Sequence, residues 1–596
     1  MMLENRTEPA FGATRVVGEP QTSSLRYQLL RWCKLIARKA VVARERGNRS
    51  DLIDDFILNA LEASSEVACM DSASLAKWIL KGDYILQLVE FLTTETTQDA
   101  LVELEGQVRA GVASMEEPDA QLIQDLIAQG ANYLPETRLA TWGATRFGLH
   151  ETIISGLVGV AATALRSASP SKKAWEEMRY RAEGVRASLQ SLKPRERKEK
   201  REEYLARAQK IEDDVESWRA EYRSALDGVL DVLATLSDEE LSEETLCETA
   251  LQVGTIASQT LEIFERATLA QYGSPTPNSV STTRRKGACV VFSGDDFDAL
   301  AALLKQAEYS QIDVWTRGEA IAAFAYPCFA SNRRLVGHYG GSWRNQLDEL
   351  GGFPGSSVLA SSPVEEPDDS YAPYVFSCRP TRYASIQTIP RDADGDYNMT
   401  LVSRAATDSS GFLSFKPGDK ISVGFGGRQL EVMVDRAARA YRTGQLKRVI
   451  AICGQDFASS EPDYFERLFA ALPETSVVLT CGDVKFRFTV GQTSQTSYNV
   501  PKVIDVGRER DANAALRFAA ELDAELDRTA SNSPVSFFVS LWGEASMALA
   551  LALVAQGRKV VVGPYAPACW TPELTAVLRD RFGITVASDP ISDLGN

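Results

Sequence analysis

Near Gly287 the chain changes its hydrophobic period, and that switch limits the architectures open to it. From about Ser24 to Ile263 apolar residues recur at three and four, in segments such as YQLLRWCKLIARKAVVARE, DLIDDFILNALEAS and SLAKWILKGDYILQLVEFL. That spacing belongs to helices that bury one face. Beyond the switch, short apolar runs alternate with helix-length segments: ACVVFSG, DFDALAALLKQAEYS and IDVWT first, then RVIAICG, DYFERLFAALP, SVVLTC, KVIDVG, DANAALRFAAELDAELD, VSFFVSLW, EASMALALALVAQG and KVVVG. Such alternation calls for parallel strands joined by crossover helices. The expected fold class is multidomain α plus α/β, an N-terminal helical-bundle domain followed by two Rossmann-like α/β domains with the site at their interface. The expected boundaries are a disordered tail over 1–24, a helical domain over 25–285, an α/β domain over 286–430 and a Rossmann-like domain over 431–596.

Three stretches break the pattern. Residues 171–222 are nearly half charged, with opposite charges spaced i,i+4 and one interruption at Pro194, which predicts two exposed helices in a projecting hairpin. The same stretch could serve as a docking arm for a protein partner or for self-association. Ala267–Gly287 is rich in Gly, Pro, Ser and Thr and reads as a linker, and Pro363–Pro417 reads as a long irregular covering.

Composition excludes several function classes. A formal charge of −17 and a pI near 4.9 argue against a nucleic-acid partner, which needs a basic face. No run of apolar residues approaches the roughly 18 of a membrane span, so a cytoplasmic protein acting on a small molecule is expected. The nine cysteines are scattered without any CxxC, as reduced buried thiols would be. His150 and His338 are the only histidines, too few for a His-rich metal site or a Ser-His-Asp triad. The GFGG at Gly424–Gly427 lacks the spacing of a dinucleotide fingerprint, so NAD is not expected.

Five acids follow apolar runs directly: Asp295 in VVFSGDDF, Glu319 in VWTRGEA, Asp483 in LTCGDV, Glu509 in VIDVGRERD and Glu544 in FFVSLWGEA. In open α/β sheets ligands gather outside the carboxyl ends of strands, so these side chains are directed at a shared crevice. Taken singly, each could be a solvated residue or a helix cap. Five together call for a common role.

The segments LEIFERATLAQYGSPTPNSV, VVFSGDDFDALAALLKQAE, IDVWTRGEAIAAFAYP, LVGHYGGSWRNQ, ISVGFGG, VIDVGRERDANAAL and VVVGPYAPACWTPELTAVLRDRFGI resemble the hybrid cluster proteins. These are also called prismane proteins or hydroxylamine reductases and are related to carbon monoxide dehydrogenases. The resemblance spans about 25–596 and implies a helical domain and two α/β domains. It also implies an iron–sulfur–oxygen cluster held by one His, two Glu and four Cys, and a cubane held by N-terminal cysteines.

Here no cysteine precedes Cys33, so no cubane is expected. Laid onto the family pattern, the cluster His falls on Asp295 and the two Glu are kept as Glu319 and Glu544. Three Cys positions fall on Gln455, Asp483 and Glu509, and the fourth on Ser362 and Pro363; a family lysine becomes Ser546. Thiolates select iron–sulfur clusters, whereas five carboxylates and an amide suit harder cations. The resemblance therefore implies a metalloenzyme with an oxygen-ligated, dinuclear site at Asp295, Glu319, Gln455, Asp483, Glu509 and Glu544. Two iron or manganese ions would serve redox chemistry on a small nitrogen-containing substrate; magnesium would serve hydrolysis. Two alternatives stand beside it: a non-catalytic scaffold retaining the fold, and a divergent iron–sulfur hydroxylamine reductase using Cys453 and Cys481, two residues before Gln455 and Asp483.

Overall fold

The computed structural model describes residues 20–595 apart from 66–69, 95–96, 132–134, 361–364, 380, 382, 393–394, 457–463, 489–495 and 542. Most of the expected N-terminal tail, Cys69 and the Ser362–Pro363 position lie outside the described residues. The first described helix, Pro20–Glu45, begins inside the stretch expected to be tail.

Every element described up to Tyr272 is helical. Ser50, Asp71 and Ser242 each begin a helix by accepting a backbone N–H on the side chain. Two long helices, Ala144–Ser191 and Pro194–Thr235, run back to back and turn at Leu192–Lys193, where Pro194 takes the first helical position. Their distal halves form the charged hairpin, cross-braced by Arg186 on Glu212 and Arg179 on Glu216, at 2.5 and 2.9 Å. Exposed pairs of this kind add little to stability, because water and salt screen them. The hairpin base is anchored instead by Trp218, buried against Ala174 and Ala267.

Fourteen strands follow: β1 Asn278–Ser281, β2 Cys289–Ser293, β3 Asp313–Arg317, β4 Leu335–His338, β5 Ser356–Leu359, β6 Val375–Ser377, β7 Gln387–Thr388, β8 Lys420–Val423, β9 Arg448–Gly454, β10 Ser476–Cys481, β11 Val503–Gly507, β12 Val535–Ser540, β13 Val560–Val562 and β14 Ile584–Val586. Among the described residues, twelve of them build two six-stranded parallel sheets, in the orders β4-β3-β2-β5-β6-β7 and β11-β10-β9-β12-β13-β14, and β1 and β8 form a two-stranded ribbon. The strand order reverses beside β2 in the first sheet and between β9 and β12 in the second. Those reversals open the crevices in which α/β folds hold ligands.

One expected strand is placed differently. ISVG, read as the opening of the last α/β unit, is β8 and pairs antiparallel with β1, so Asn278 faces Val423 and Ser281 faces Lys420. The stretch read as a linker thus contains a helix end and a strand, because its backbone polar groups find partners in a segment about 140 residues away, beyond the reach of local pattern.

Ala144–Ser191 carries an apolar window long enough to span a membrane, more than a search for unbroken runs anticipates, and 83% of that window is buried in the protein. It packs on Glu243–Tyr272, and both pack on Glu544–Ala555, the helix after β12. Enclosure on several sides explains why EASMALALALVA has no polar face. The contact with Gly159 is backbone to backbone, since a Cβ there would sit 2.2 Å from the Glu544 carbonyl oxygen.

Gly159→Ala is therefore expected to lower stability by about 1–3 kcal/mol through overpacking. Gly184→Ala, at a hairpin position with nothing within 4 Å, should raise it by up to about 1 kcal/mol through helix propensity. Chemical denaturation of both variants checks the pair; equal effects would contradict this packing.

Candidate functional site

Five of the six strand ends that carry a candidate residue are turned by glycine; Glu544 follows Gly543, whose φ of −118° is ordinary. Gly294, Gly318, Gly454, Gly482 and Gly507 have positive φ, and Asp295, Glu319, Gln455, Asp483 and, one residue later, Glu509 follow them. At Gly482 a Cβ would lie 2.2 Å from the Gly454 carbonyl oxygen, so only glycine lets the β9 and β10 ends close together. Glu319, Asp483, Glu509 and Glu544 each stand in the first turn of the helix after the strand. There the free N–H groups favour negative charge.

Three acids form the buried centre. Glu319 Oε1 accepts the Glu509 backbone N–H at 2.5 Å. Burial, then the charges of Glu509 and Asp483, push the Glu319 carboxyl well above the usual carboxylate range. Glu509 is pushed up to about 8 by burial, with Asp483 and Glu544 adding and the Ser546 hydroxyl, which donates to its Oε1, opposing. Asp483 is also raised by burial. The N–H groups of Asp456 at 2.6 Å and Trp343 at 3.1 Å, with Arg317 and Lys485, pull it back.

Glu544 and Gln455 stand beside this centre. Glu544 accepts the Ser65 hydroxyl at 2.7 Å and lines, with Glu151, a space of about 30 Å³ beneath the helical layer. Gln455 donates its N–H to Ser546 Oγ at 3.4 Å, and its buried Oε1 has no hydrogen-bond partner. Asp295 is turned elsewhere: it is ion-paired with Arg510 and lines a separate cavity of about 280 Å³ with Asp296, Asp298, Arg391 and Tyr397. Among the described residues, no three His, Cys, Asp or Glu side chains stand close enough to hold an ion as arranged.

The central acids differ from other buried acids in how their charge is met. Asp505 pairs with Lys485 at 2.8 Å, Asp511 with Arg508 at 2.8 Å, Asp456 with Arg487 at 2.5 Å and Asp523 with Arg558 at 2.9 Å. Glu319, Asp483 and Glu509 have no ion pair among the described residues. Asp593 shares that lack, but it lies alone on Tyr464 and Ser588, without a second acid to repel. Carboxylates crowded without cations either hold protons or bind a cation.

The donor chemistry bears on the cluster that the resemblance implies. Cys453 and Cys481 are wholly buried register partners on β9 and β10. The neighbouring Cys453 thiol, then burial, raise the Cys481 thiol well above its ordinary value. Two such thiols, with oxygen donors at Gln455, Asp483 and Glu509, do not make a thiolate set for an iron–sulfur–oxygen cluster. The uncompensated carboxylates and the unsatisfied Gln455 oxygen do fit a hard cation.

Lys485, Arg510 and Asp456 were not assigned as part of the site from sequence. Lys485 is 0% exposed, and its ammonium donates to both Asp505 oxygens at 2.8 Å and to the Gly507 carbonyl at 2.9 Å. The available signal was the recurring glycine–acid pair at strand ends, which marks turns but says nothing of cations arriving from other strands. His338, too, is wholly buried: Nδ1 meets Thr316 Oγ1 at 2.9 Å, and burial holds its pKa down at about 3.

Residues 20–594 match the Prismane/CO dehydrogenase family. A hydroxylamine reductase of Rhodospirillum rubrum is 31% identical over 366 residues, which cover 61% of this chain and 66% of the relative. One of Acidiphilium cryptum is 31% identical over 378 residues, covering 63% and 67%. The chain thus spans about two thirds of the length of the curated relatives it matches. Among solved structures, a nickel-free carbon monoxide dehydrogenase from Thermococcus sp. AM4 has a TM-score of 0.55 at 11% identity, over 76% of this chain and 85% of that one. Carbon monoxide dehydrogenase IV from Carboxydothermus hydrogenoformans has a TM-score of 0.50 at 12% identity, over 97% and 87%. At such identities the likeness is one of fold.

Two outcomes follow from the charge arrangement. Glu509 keeps its proton in the folded chain up to about pH 8, whereas the unfolded chain releases it near 4.5. Its cost is absent below 4.5 and grows as pH rises to about 8. The melting temperature of metal-free protein should therefore fall more steeply between about pH 5 and 8 than that of Glu509→Gln; parallel curves would mean Glu509 is ionised throughout. Lys485→Met should cost about 3–5 kcal/mol in chemical denaturation, because it leaves Asp505 buried and unpaired.

Proposed function

Because the chain belongs to the prismane/CO dehydrogenase family, we propose that it is a metal-dependent oxidoreductase whose centre is ligated by oxygen rather than sulfur. The observation that carries this reading is the group of three buried acids that, among the described residues, have no ion pair, beside an amide oxygen with no hydrogen-bond donor among them. Glu319, Asp483, Glu509 and Glu544 would hold the metal with Gln455, and Asp295 would join them on leaving Arg510. Two ions, iron or manganese, match the number of carboxylates. When bound, such a centre supplies redox or Lewis-acid chemistry to a small substrate.

The chain's own residues prepare that centre. The amides of Trp343 and Asp456 fix the Asp483 carboxylate, and the Glu509 amide fixes Glu319. Ser546 orients Glu509. Lys485 is held by Asp505, so its charge offsets the acids without occupying their oxygens. Glu319 and Glu509, both held above the usual carboxylate range by burial, can hold and release protons inside the site. The relatives' name, hydroxylamine reductase, suggests a small nitrogen compound as substrate.

A second reading is favoured by the same hydrogen bonds. Glu319, Asp483, Glu509 and Glu544 already have donors, and no ready ion cage stands among the described residues. On that reading the chain is a non-catalytic scaffold, with the 171–222 hairpin as its contact to a partner or to itself.

Elemental analysis of protein purified aerobically and anaerobically, without an affinity metal, separates the two. About two equivalents of iron or manganese per chain without acid-labile sulfide are expected. Glu509→Ala should keep less than one tenth of that metal and melt lower than the wild type. Metal-free protein in both preparations, with Glu509→Ala as stable as the wild type or more so, would leave the scaffold.

A further inference from the structure

Two thiols face each other directly beneath the acidic pocket. Cys453 and Cys481 lie near and at the carboxyl ends of neighbouring parallel strands, as register partners, and both are 0% exposed. Adjacent strands run about 4.8 Å apart, which falls within the roughly 4.4–6.8 Å Cα separation that a disulfide accepts. As register partners on parallel strands, the two side chains leave the sheet on the same face. The other described buried cysteines, Cys33, Cys247, Cys289, Cys378 and Cys569, have no such thiol across from them on a neighbouring strand.

The surroundings set this pair apart from inert core thiols. Cys481 is near enough to Glu509 and Lys485 to feel both charges. The β10–β11 register slips between Thr480 and Cys481, so Cys481 stands opposite Gly507 at a break in the ladder. Gly454 and Gly482, each directly after one of the cysteines, have positive φ and bring the two strand ends into backbone contact, which holds the thiols side by side. Complete burial admits small neutral reagents and excludes bulky or charged ones.

We propose that Cys453 and Cys481 form a two-electron dithiol–disulfide couple at the floor of the carboxylate pocket, oxidised by a small uncharged molecule with a weak O–O or N–O bond. With hydrogen peroxide, one sulfur takes an oxygen, the O–O bond breaks and water leaves. The second sulfur then displaces the sulfenic oxygen as a second water, so that two thiols and one peroxide give one disulfide and two waters. With hydroxylamine, one sulfur bonds to nitrogen as the N–O bond breaks and water leaves. The second sulfur displaces ammonia. Each route oxidises the sulfur pair by two electrons, and both thiol protons end on the reduced products. The couple needs no metal and goes beyond the oxygen-ligated centre.

The test uses the full chain, as isolated and after metal stripping, treated without air with hydrogen peroxide in one arm and hydroxylamine in the other. Free thiols are blocked on denaturation, counted, and the peptides mapped by mass spectrometry. The expected result in at least one arm is a Cys453–Cys481 linked peptide that dithiothreitol reverses, with the arm identifying the bond that is reduced. Cys453→Ser should abolish the link and, in the peroxide arm, leave a Cys481 sulfenic acid that dimedone traps on denaturation. Its metal content should match the wild type, so failure here is distinct from failure of the carboxylate centre. The proposal is overturned if neither arm yields the linked peptide while exposed Cys328 is oxidised in the same sample, or if either thiol pairs with a different cysteine. Because the wild-type map decides, an unstable variant does not blur the outcome.

Discussion

A single ammonium holds the acidic pocket together. Lys485 has no exposed surface, yet three hydrogen bonds to Asp505 and Gly507 use its donors fully. An unpaired charge in that position would be far too costly to bury. Paired as it is, Lys485 ties the turn after β10 to the end of β11 and places a positive charge among acids that lack one of their own. Glu319 and Asp483 both feel it. The two strand ends, and the acids that follow them, depend on this one ion pair for their spacing.

The helical layer completes the enclosure from the other side. Gly159 lets the Ala144–Ser191 helix touch the backbone at Glu544, and Ser65, just past the end of the Asp51–Ala63 helix, donates to the Glu544 carboxylate. The site is therefore assembled from three parts of the chain, with β3 of the first sheet, β9 to β12 of the second and the helical layer each contributing. A packing change at Gly159 and a charge change at Glu509 act on the same few residues by different physical routes, one through overlap of atoms and one through desolvation.

The legible part of this arrangement was the part governed by local pattern. The runs CVVFS, DVWTR, RVIAICG, SVVLTC, VIDVG and VSFFVS are strands because they are continuous apolar stretches bounded by turn residues. The acids after them sit at strand ends as the alternation required. Three things were not legible. The β1–β8 ribbon joins segments far apart in sequence. The pairing of Asp295 with Arg510 draws one candidate residue toward a different cavity. The hydrogen bonds from Trp343 and Asp456 to Asp483 come from loops whose sequences carry no period. In each case the deciding contact is a cation or N–H delivered by a distant element.

The sequence by itself determined the class of the fold, through the change of hydrophobic period, and which oxygen-bearing residue types follow the strand ends. Those are properties of single positions and short windows. Tertiary structure decided which buried acids are neutralised and which are not, because charge compensation depends on distances between side chains that no local pattern sets. It also decided that Cys453 and Cys481 face one another, since register between two strands is fixed by the packing of the whole sheet rather than by either strand alone.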